Sequence, residues 1–151
     1  MANNELCSTF VTGSCDKEIK AICGRFLVEV VLTEPYMIFD ISDSCEVDNG
    51  SGIWIPYPAG THVTVSANDT DIGTDETYTM KIKSDQEITH IRFVSDTYQE
   101  INIVSADDLT TANAMCYGLE ELKSFSLNGF NQIIDFTSMF ANCFNITYIN
   151  N

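Results

Sequence analysis

One pattern occurs twice at the end of this chain, with a spacing of 24 residues. The segment "AMCYGLEELKSFSL" (114–127) is followed by "SMFANCFNITYINN" (138–151), which places Ile149 over Phe125. A repeat of about 20–50 residues predicts stacked structural units, because a single unit cannot bury its own apolar face. We therefore expect two complete units and the start of a third.

Each unit is predicted to contain a short strand followed by a short helix. The strands are "INIV", "SFSL" and "ITYI". Apolar side chains at helical spacing follow the first two strands. They are Leu109, Ala112 and Cys116 in one unit, and Ile133, Phe136 and Phe140 in the next.

The repeat resembles the BspA-type leucine-rich repeat, which also occurs in mycoplasma surface lipoproteins. Its units read like "MF-x-x-C-x-x-L-x-x-[LI]"; "MFANCFNITYI" (139–149) fits closely and "MCYGLEELKSF" (115–125) less well. The resemblance implies a truncated leucine-rich-repeat-like β/α solenoid over 96–151, preceded by a small β-domain. It also implies a protein-interaction or surface role, in bacterial surface proteins or in phage proteins, without catalytic residues.

Before the repeat, the apolar period is two rather than 3.6. Short strand-like runs alternate with turn signals such as Asp48-Asn49-Gly50. This spacing predicts an Ig-like β-sandwich over 26–95, after an N-terminal arm over 1–25. The fold class is therefore mainly β with short helices. The runs are "RFLVEVVLT", "YMIFDIS", "GIWIPY", "THVTVSA", "TYTMKIKS" and "THIRFVS".

The charge balance excludes some partners. The chain has 22 acidic and 7 basic residues, for a net charge of −15, so phosphate backbones are repelled and no nucleic acid is expected. No apolar run is long enough for a membrane span. The acidity is typical of a solubilising surface; a basic protein partner or a cation are the alternatives.

The six cysteines form no C-x-x-C pair and no zinc spacing. The start "MANNELCSTF" lacks the features of a secretion signal. We therefore expect synthesis in a reducing cytoplasm and free, mostly buried thiols.

No motif of a hydrolase, metalloprotease or nucleotide-binding enzyme is present, so we expect no catalytic residues and no cofactor. His62 and His90 are interpreted as structural. The aromatic residues Trp54 and Tyr57 are either a glycan-stacking pair or a core tryptophan beside a surface tyrosine.

One acidic loop resembles a calcium site. Its carboxylates would suit a hard cation. The order of an EF-hand is absent, so a solvated turn is favoured and no metal site is predicted. The candidate ligands are Asp69, Asp71, Asp75 and Glu76.

The last unit ends after its strand, and its apolar residues therefore lack a covering helix. We predict that they form an interface, because an uncapped repeat leaves an apolar face and a free strand edge. The residues are Phe140, Phe144, Ile146, Tyr148 and Ile149.

These features favour a non-enzymatic structural virion protein of a bacteriophage: a capsid decoration, fibre-base or tail-accessory subunit. It would be made in the host cytoplasm and would contact other virion subunits or copies of itself, with no nucleic acid and no membrane as partner. A phage protein leaves the host by lysis and needs no secretion signal. The alternative is a surface adhesin-like module that binds a host protein or a glycan.

Overall fold

The computed structural model describes residues 25–68, 77–128 and 132–150. The mainly β character predicted from the sequence is confirmed, since these residues form ten strands. The predicted N-terminal arm lies outside the described residues except for Arg25. The strands are β1 (Phe26–Leu32), β2 (Tyr36–Ile41), β3 (Cys45–Asp48), β4 (Trp54–Tyr57), β5 (Gly60–Ser66), β6 (Tyr78–Ser84), β7 (Ile91–Phe93), β8 (Tyr98–Ala106), β9 (Ser124–Leu127) and β10 (Tyr148–Asn150).

The strands form a large sheet of seven and a small sheet of three. The large sheet has the order β10-β9-β8-β1-β6-β3-β4, and the small sheet has the order β5-β2-β7. Neighbours from β4 to β8 in the large sheet run antiparallel. The last three strands, β8, β9 and β10, run parallel. The change of direction coincides with the start of the sequence repeat.

The two sheets share one core. In β1, Val28, Val30 and Leu32 are buried and belong to the same apolar cluster as Met37 and Phe39 of β2. The period of two in the sequence therefore produces a face that packs inward, as predicted.

Tyr98 of β8 joins the two sheets. Its ring is fully buried and meets Phe93 of β7 edge-on, with 5.2 Å between the ring centroids. Its hydroxyl donates a hydrogen bond of 2.7 Å to the carbonyl of Ile38 in β2. A buried phenol needs such a partner, and this one fixes the large sheet against the small one.

The 24-residue period is confirmed by the register of the parallel strands. Ile101 of β8 pairs with Phe125 of β9, which pairs with Ile149 of β10. Side chains of equivalent residues therefore stack in columns across the three strands. Ser126 and Asn102, also 24 apart, hydrogen-bond each other through their side chains.

The segments predicted to be short helices are not helical. Residues 111–118 and 135–142 each form a series of tight turns, which we call the first and second turn row. Their local bonds run from an N–H to the carbonyl three residues earlier, as in Met115 to Ala112 and Met139 to Phe136. The prediction of short helices was wrong because left-handed residues interrupt each row, at Ala114 in the first.

The first turn row continues the small sheet. The N–H of Phe93 in β7 donates to the carbonyl of Met115 at 2.8 Å, and the N–H of Thr110 donates to Thr89 at 3.1 Å. The second turn row then adds to the first, with a parallel bridge between Thr111 and Asp135. The large sheet thus extends into the repeat through β9 and β10, and the small sheet extends into it through the two turn rows.

The predicted boundary between residues 95 and 96 stays a prediction. β8 follows it directly, and β8 pairs with β1 on one side and with β9 on the other. Buried residues from both sides of the boundary belong to one cluster.

Candidate interaction surface at the end of the sheet

Among the residues that the structure describes, the large sheet has two edge strands, β4 and β10, and they differ in how they are protected. β4 carries Pro56, which cannot donate a hydrogen bond and so blunts an edge. β10 carries neither proline nor charge, and all three of its residues are exposed. We call the surface formed by the second turn row (135–142), Phe144 and β10 the end face.

The core is open at the end face. Phe125 is fully buried between its neighbours, whereas the equivalent Ile149, one unit later, is 55% exposed. Ala112 is likewise fully buried, and the equivalent Phe136 is 46% exposed. Positions that face the core in one unit therefore face outward in the next, since nothing among the described residues stacks on them.

The five residues predicted as an interface fall into two groups. Phe140 packs edge-on against Phe125 with 5.0 Å between the ring centroids, and Ile146 is partly buried against the core. Phe144, Tyr148 and Ile149 are exposed, by 75%, 58% and 55%. Phe140 and Ile146 thus pack inward against the core, and the other three provide the outward contact surface.

Sequence reasoning missed two exposed apolar residues in the same region. Ile134 is 89% exposed and Phe136 is 46% exposed. Phe136 was interpreted as the apolar face of a helix, whereas it lies in the second turn row. The sequence did contain a signal for its exposure, because Phe136 occupies the repeat position of Ala112. A phenylalanine ring is too large for the space that a buried alanine fills, so it is expected to point outward.

The end face has almost no charge. Between Ser124 and Asn151, Asp135 is the only charged residue in a chain of net charge −15. Its carboxylate accepts bonds from the N–H of Thr137 at 2.9 Å and from the side chain of Asn113 at 3.2 Å. Bonds from Thr137 and then Asn113 lower the pKa of Asp135 below its usual value. Depletion of charge at the centre of a surface is typical of protein interfaces.

The described cysteines are free and buried: Cys45, Cys116 and Cys143. The expectation of free, buried thiols is confirmed for these three, while Cys7, Cys15 and Cys23 lie outside the described residues. Burial raises the pKa of Cys45 to about 12 and raises the pKa values of Cys116 and Cys143. The thiolate, which is the nucleophilic form, is therefore disfavoured at all three positions.

The candidate calcium ligands Asp69, Asp71, Asp75 and Glu76 lie outside the described residues. Within the described ranges, no group of three His, Cys, Asp or Glu side chains is arranged to hold a metal ion. His62 is mostly exposed, and its ring lies 3.8 Å from the carboxylate of Asp40.

Trp54 and Tyr57 do not form a joint stacking platform. They are three residues apart on β4, so their side chains point to opposite faces of the strand. The ammonium of Lys83 covers the Trp54 ring at 4.4 Å from its centroid, and it also lies 3.5 Å from the Glu46 carboxylate. Tyr57 packs against the core.

The comparisons identify no relative: no protein-family model, curated protein or solved structure matches the chain. In the part of the chain that the structure describes, no helix has the length and apolar character needed to cross a membrane.

Proposed function

We propose that this chain is a non-enzymatic structural protein of a bacteriophage virion, which acts through protein–protein contacts at its end face. The observation that carries the proposal is the open core at that face, where Ile149 and Phe136 are exposed at positions buried one unit earlier. Exposed apolar surface beside a free strand edge normally marks an association site. The partners are other virion subunits or copies of itself, and the subunit is a capsid decoration, fibre-base or tail-accessory protein.

The fold proposed here is an Ig-like β-sandwich followed by a truncated leucine-rich-repeat-like solenoid of BspA type. The parallel pairing of residues 24 apart supports the stacked-repeat part of this assignment. The two-layer packing of β1 to β8 supports the sandwich part. Repeats of the BspA type occur in bacterial surface proteins and in phage proteins, where the resemblance implies binding to other proteins rather than catalysis.

The charge distribution supports assembly with protein rather than with nucleic acid. A net charge of −15 repels phosphate. The end face, in contrast, is nearly uncharged, so a partner can approach it without desolvating many ions.

The test of the proposal is mass spectrometry of density-gradient-purified virions of the phage that encodes this chain. We expect peptides of this chain to copurify with capsid or tail proteins at a fixed ratio across the particle peak. Peptides found only in the soluble fraction of the lysate would contradict the proposal.

The second candidate function is an adhesin-like module that binds a host protein or a glycan. The observation in its favour is the set of exposed aromatic rings at the end face, Phe136, Phe144 and Tyr148, because aromatic faces stack on sugars. Binding of the purified chain to host cells that is lost on Tyr148→Asp, with no peptides in virions, would favour this alternative.

A further inference from the structure

Two of the buried cysteines meet where the two repeat units pack on each other. Cys116 belongs to the first turn row, and Cys143 directly follows the second. Although these residues are 27 positions apart, the thiol of Cys143 donates a hydrogen bond of 2.8 Å to the backbone carbonyl of Cys116. Both side chains belong to the same apolar cluster. The sulfur of one cysteine therefore touches the main chain of the other inside the core.

The repeat explains why these two residues are close. Phe140 is equivalent to Cys116 one unit later, and the two rows are joined there by a bond of 2.9 Å from the N–H of Cys116 to the carbonyl of Met139. Cys143 stands one tight turn beyond Phe140, since its N–H donates to the carbonyl of Phe140 at 3.1 Å. Its side chain thus reaches back diagonally from the second unit to the first.

The surroundings of the pair favour neutral sulfur. Burial first, and then the charge of Cys143, raise the pKa of Cys116, and burial is also the main cause that raises the pKa of Cys143. A disulfide has no ionisable proton and is apolar, so it suits this cluster as well as two thiols do. Cys45 differs, because it lies on β3 and the nearby charge that raises its pKa is that of Glu46 rather than of another thiol.

We propose that Cys116 and Cys143 are a disulfide-forming pair, which is oxidised in the folded chain by a low-molecular-weight disulfide. Rotation about the Cα–Cβ bond moves a cysteine sulfur without moving the backbone, and we expect such rotation to bring the two sulfurs together. Cys143 reacts first, because it is 8% exposed whereas Cys116 is fully buried. In the absence of an oxidant both remain thiols.

The reaction is two successive thiol–disulfide exchanges. The thiolate of Cys143 attacks one sulfur of the small disulfide, which forms a mixed disulfide and releases one small thiolate. The thiolate of Cys116 then attacks the sulfur of Cys143, the protein disulfide forms, and the second small thiolate leaves. The released thiolates take up the two protons that the cysteines lost. Two protein thiols are thereby oxidised, and one small disulfide is reduced to two thiols.

The crosslink would fasten the second repeat unit, which carries the end face, to the first. It joins residues 27 positions apart, so it restricts the unfolded chain and stabilises the folded one. This inference goes beyond the proposed function and does not depend on it, because the reaction needs only the folded chain and a small oxidant.

The experiment treats the reduced, folded full chain with excess bis(2-hydroxyethyl) disulfide at mildly alkaline pH. Remaining thiols are blocked with N-ethylmaleimide, and the chain is digested without reduction. Trypsin cleaves after Lys123, so Cys116 and Cys143 fall in different peptides and their linkage is read by mass spectrometry. We expect this linked pair to be at least about tenfold more abundant than any linkage to Cys45, because the second thiol is held beside the mixed disulfide.

The matched control is Cys143→Ser, whose hydroxyl keeps a donor for the Cys116 carbonyl but forms no disulfide. Treatment should shift the urea midpoint of the parent chain to higher concentration and leave that of the control unshifted.

Three results would overturn the inference. The first is the absence of the linked pair, whether the two thiols stay free or each carries the reagent. The second is a linked pair that forms equally well in the chain unfolded by urea, since the folded contact would then contribute nothing. The third is linkage found only in covalent dimers on a non-reducing gel, which would mean that the two thiols belong to different copies.

Discussion

Four residues with positive φ set the shape of the two turn rows: Ala114, Gly118, Ser138 and Asn142, with φ of 51°, 75°, 55° and 64°. They are related in pairs by the 24-residue offset, so the backbone repeats as well as the side chains. A left-handed residue ends a helical segment, and two per row leave no room for a full helix. Glycine and asparagine are usual at such positions, whereas alanine and serine are not.

Replacing Ala114 tests this backbone directly. With φ at 51°, Ala114→Gly relieves strain of about 1–2 kcal/mol and adds unfolded-state entropy of about 0.5–1 kcal/mol. We expect a free energy of unfolding that is unchanged or higher by up to about 1 kcal/mol, measured by urea denaturation. In a helix interior the same change would cost about 1 kcal/mol, so a loss of that size would contradict the turn geometry.

Gly118→Ala is the matched change in the opposite direction. An added Cβ would meet no atom within 4 Å, so its cost is conformational alone. We expect the free energy of unfolding to fall by up to about 1 kcal/mol, because strain of about 1–2 kcal/mol is partly offset by the lower entropy of the unfolded chain, about 0.5–1 kcal/mol.

Because the thiol of Cys45 is buried, we expect the free energy of unfolding to decrease at alkaline pH. Burial first, and then the nearby charge of Glu46, raise its pKa from 9.0 to about 12. Its contribution is therefore fully present below pH 9 and is lost as the pH rises towards 12, because the unfolded chain releases this proton first.

We expect the urea midpoint to fall between pH 9 and pH 11, and the fall to be smaller in Cys45→Ala than in the parent chain. Each variant is compared with its own midpoint at pH 7, so that the packing cost of the substitution cancels. An equal fall in both chains would contradict the role of Cys45.

At the scale of elements, the free edge of β10 is the feature most open to test. Tyr148→Asp with Ile149→Asp places two charges on the end face, where burial of each apolar side chain contributes about 1.5–3 kcal/mol to association. Both side chains are more than half exposed, so the fold itself should be retained. We expect particle assembly to fail while the circular dichroism spectrum and the urea midpoint remain close to those of the parent chain.

The matched control is Ile55→Asp on β4, the other edge of the large sheet. Ile55 is 36% exposed and lies next to Pro56. Because that edge is already blunted, the control should assemble normally. Normal assembly of the double variant would mean that β10 is not a contact edge.

Elements with a clear apolar period were predictable from the sequence. The run 26–33 contains β1, and 77–84 contains β6, because alternating side chains on these strands face the core and the solvent in turn. The short β3 was missed because "CEVD" carries only two apolar residues. The turn rows were misassigned because a spacing of three to four residues is shared by helices and by successive tight turns.

The candidate surface was predictable in part. The exposure of Tyr148 and Ile149 agrees with their predicted place in the third, partial unit of the repeat. The inward packing of Phe140 on Phe125 depends on the turn geometry, which the apolar pattern does not encode.

At the scale of the whole molecule, the hydrogen-bonded layers continue from the antiparallel strands into the repeat. β8 is shared by both regions, and Tyr98 fastens it to the small sheet. A chain built in this way is expected to unfold as one unit, since separating the repeat would expose apolar residues on both sides of β8.

The single tryptophan makes this cooperativity measurable, because Trp54 lies on β4, four strands away from β8 in the large sheet. Phe125→Leu in β9 removes part of a fully buried ring and should lower the free energy of unfolding by about 1–3 kcal/mol. We expect the Trp54 fluorescence transition in urea to shift to lower concentration by the same amount as the circular dichroism transition. Ile149→Ala, a half-exposed change in the same column of residues, is the control and should leave both transitions nearly unchanged. If Trp54 reported an unshifted transition in Phe125→Leu, residues 26–95 and 96–151 would unfold as independent domains. The pairing of β8 with both β1 and β9 would then not make their unfolding cooperative.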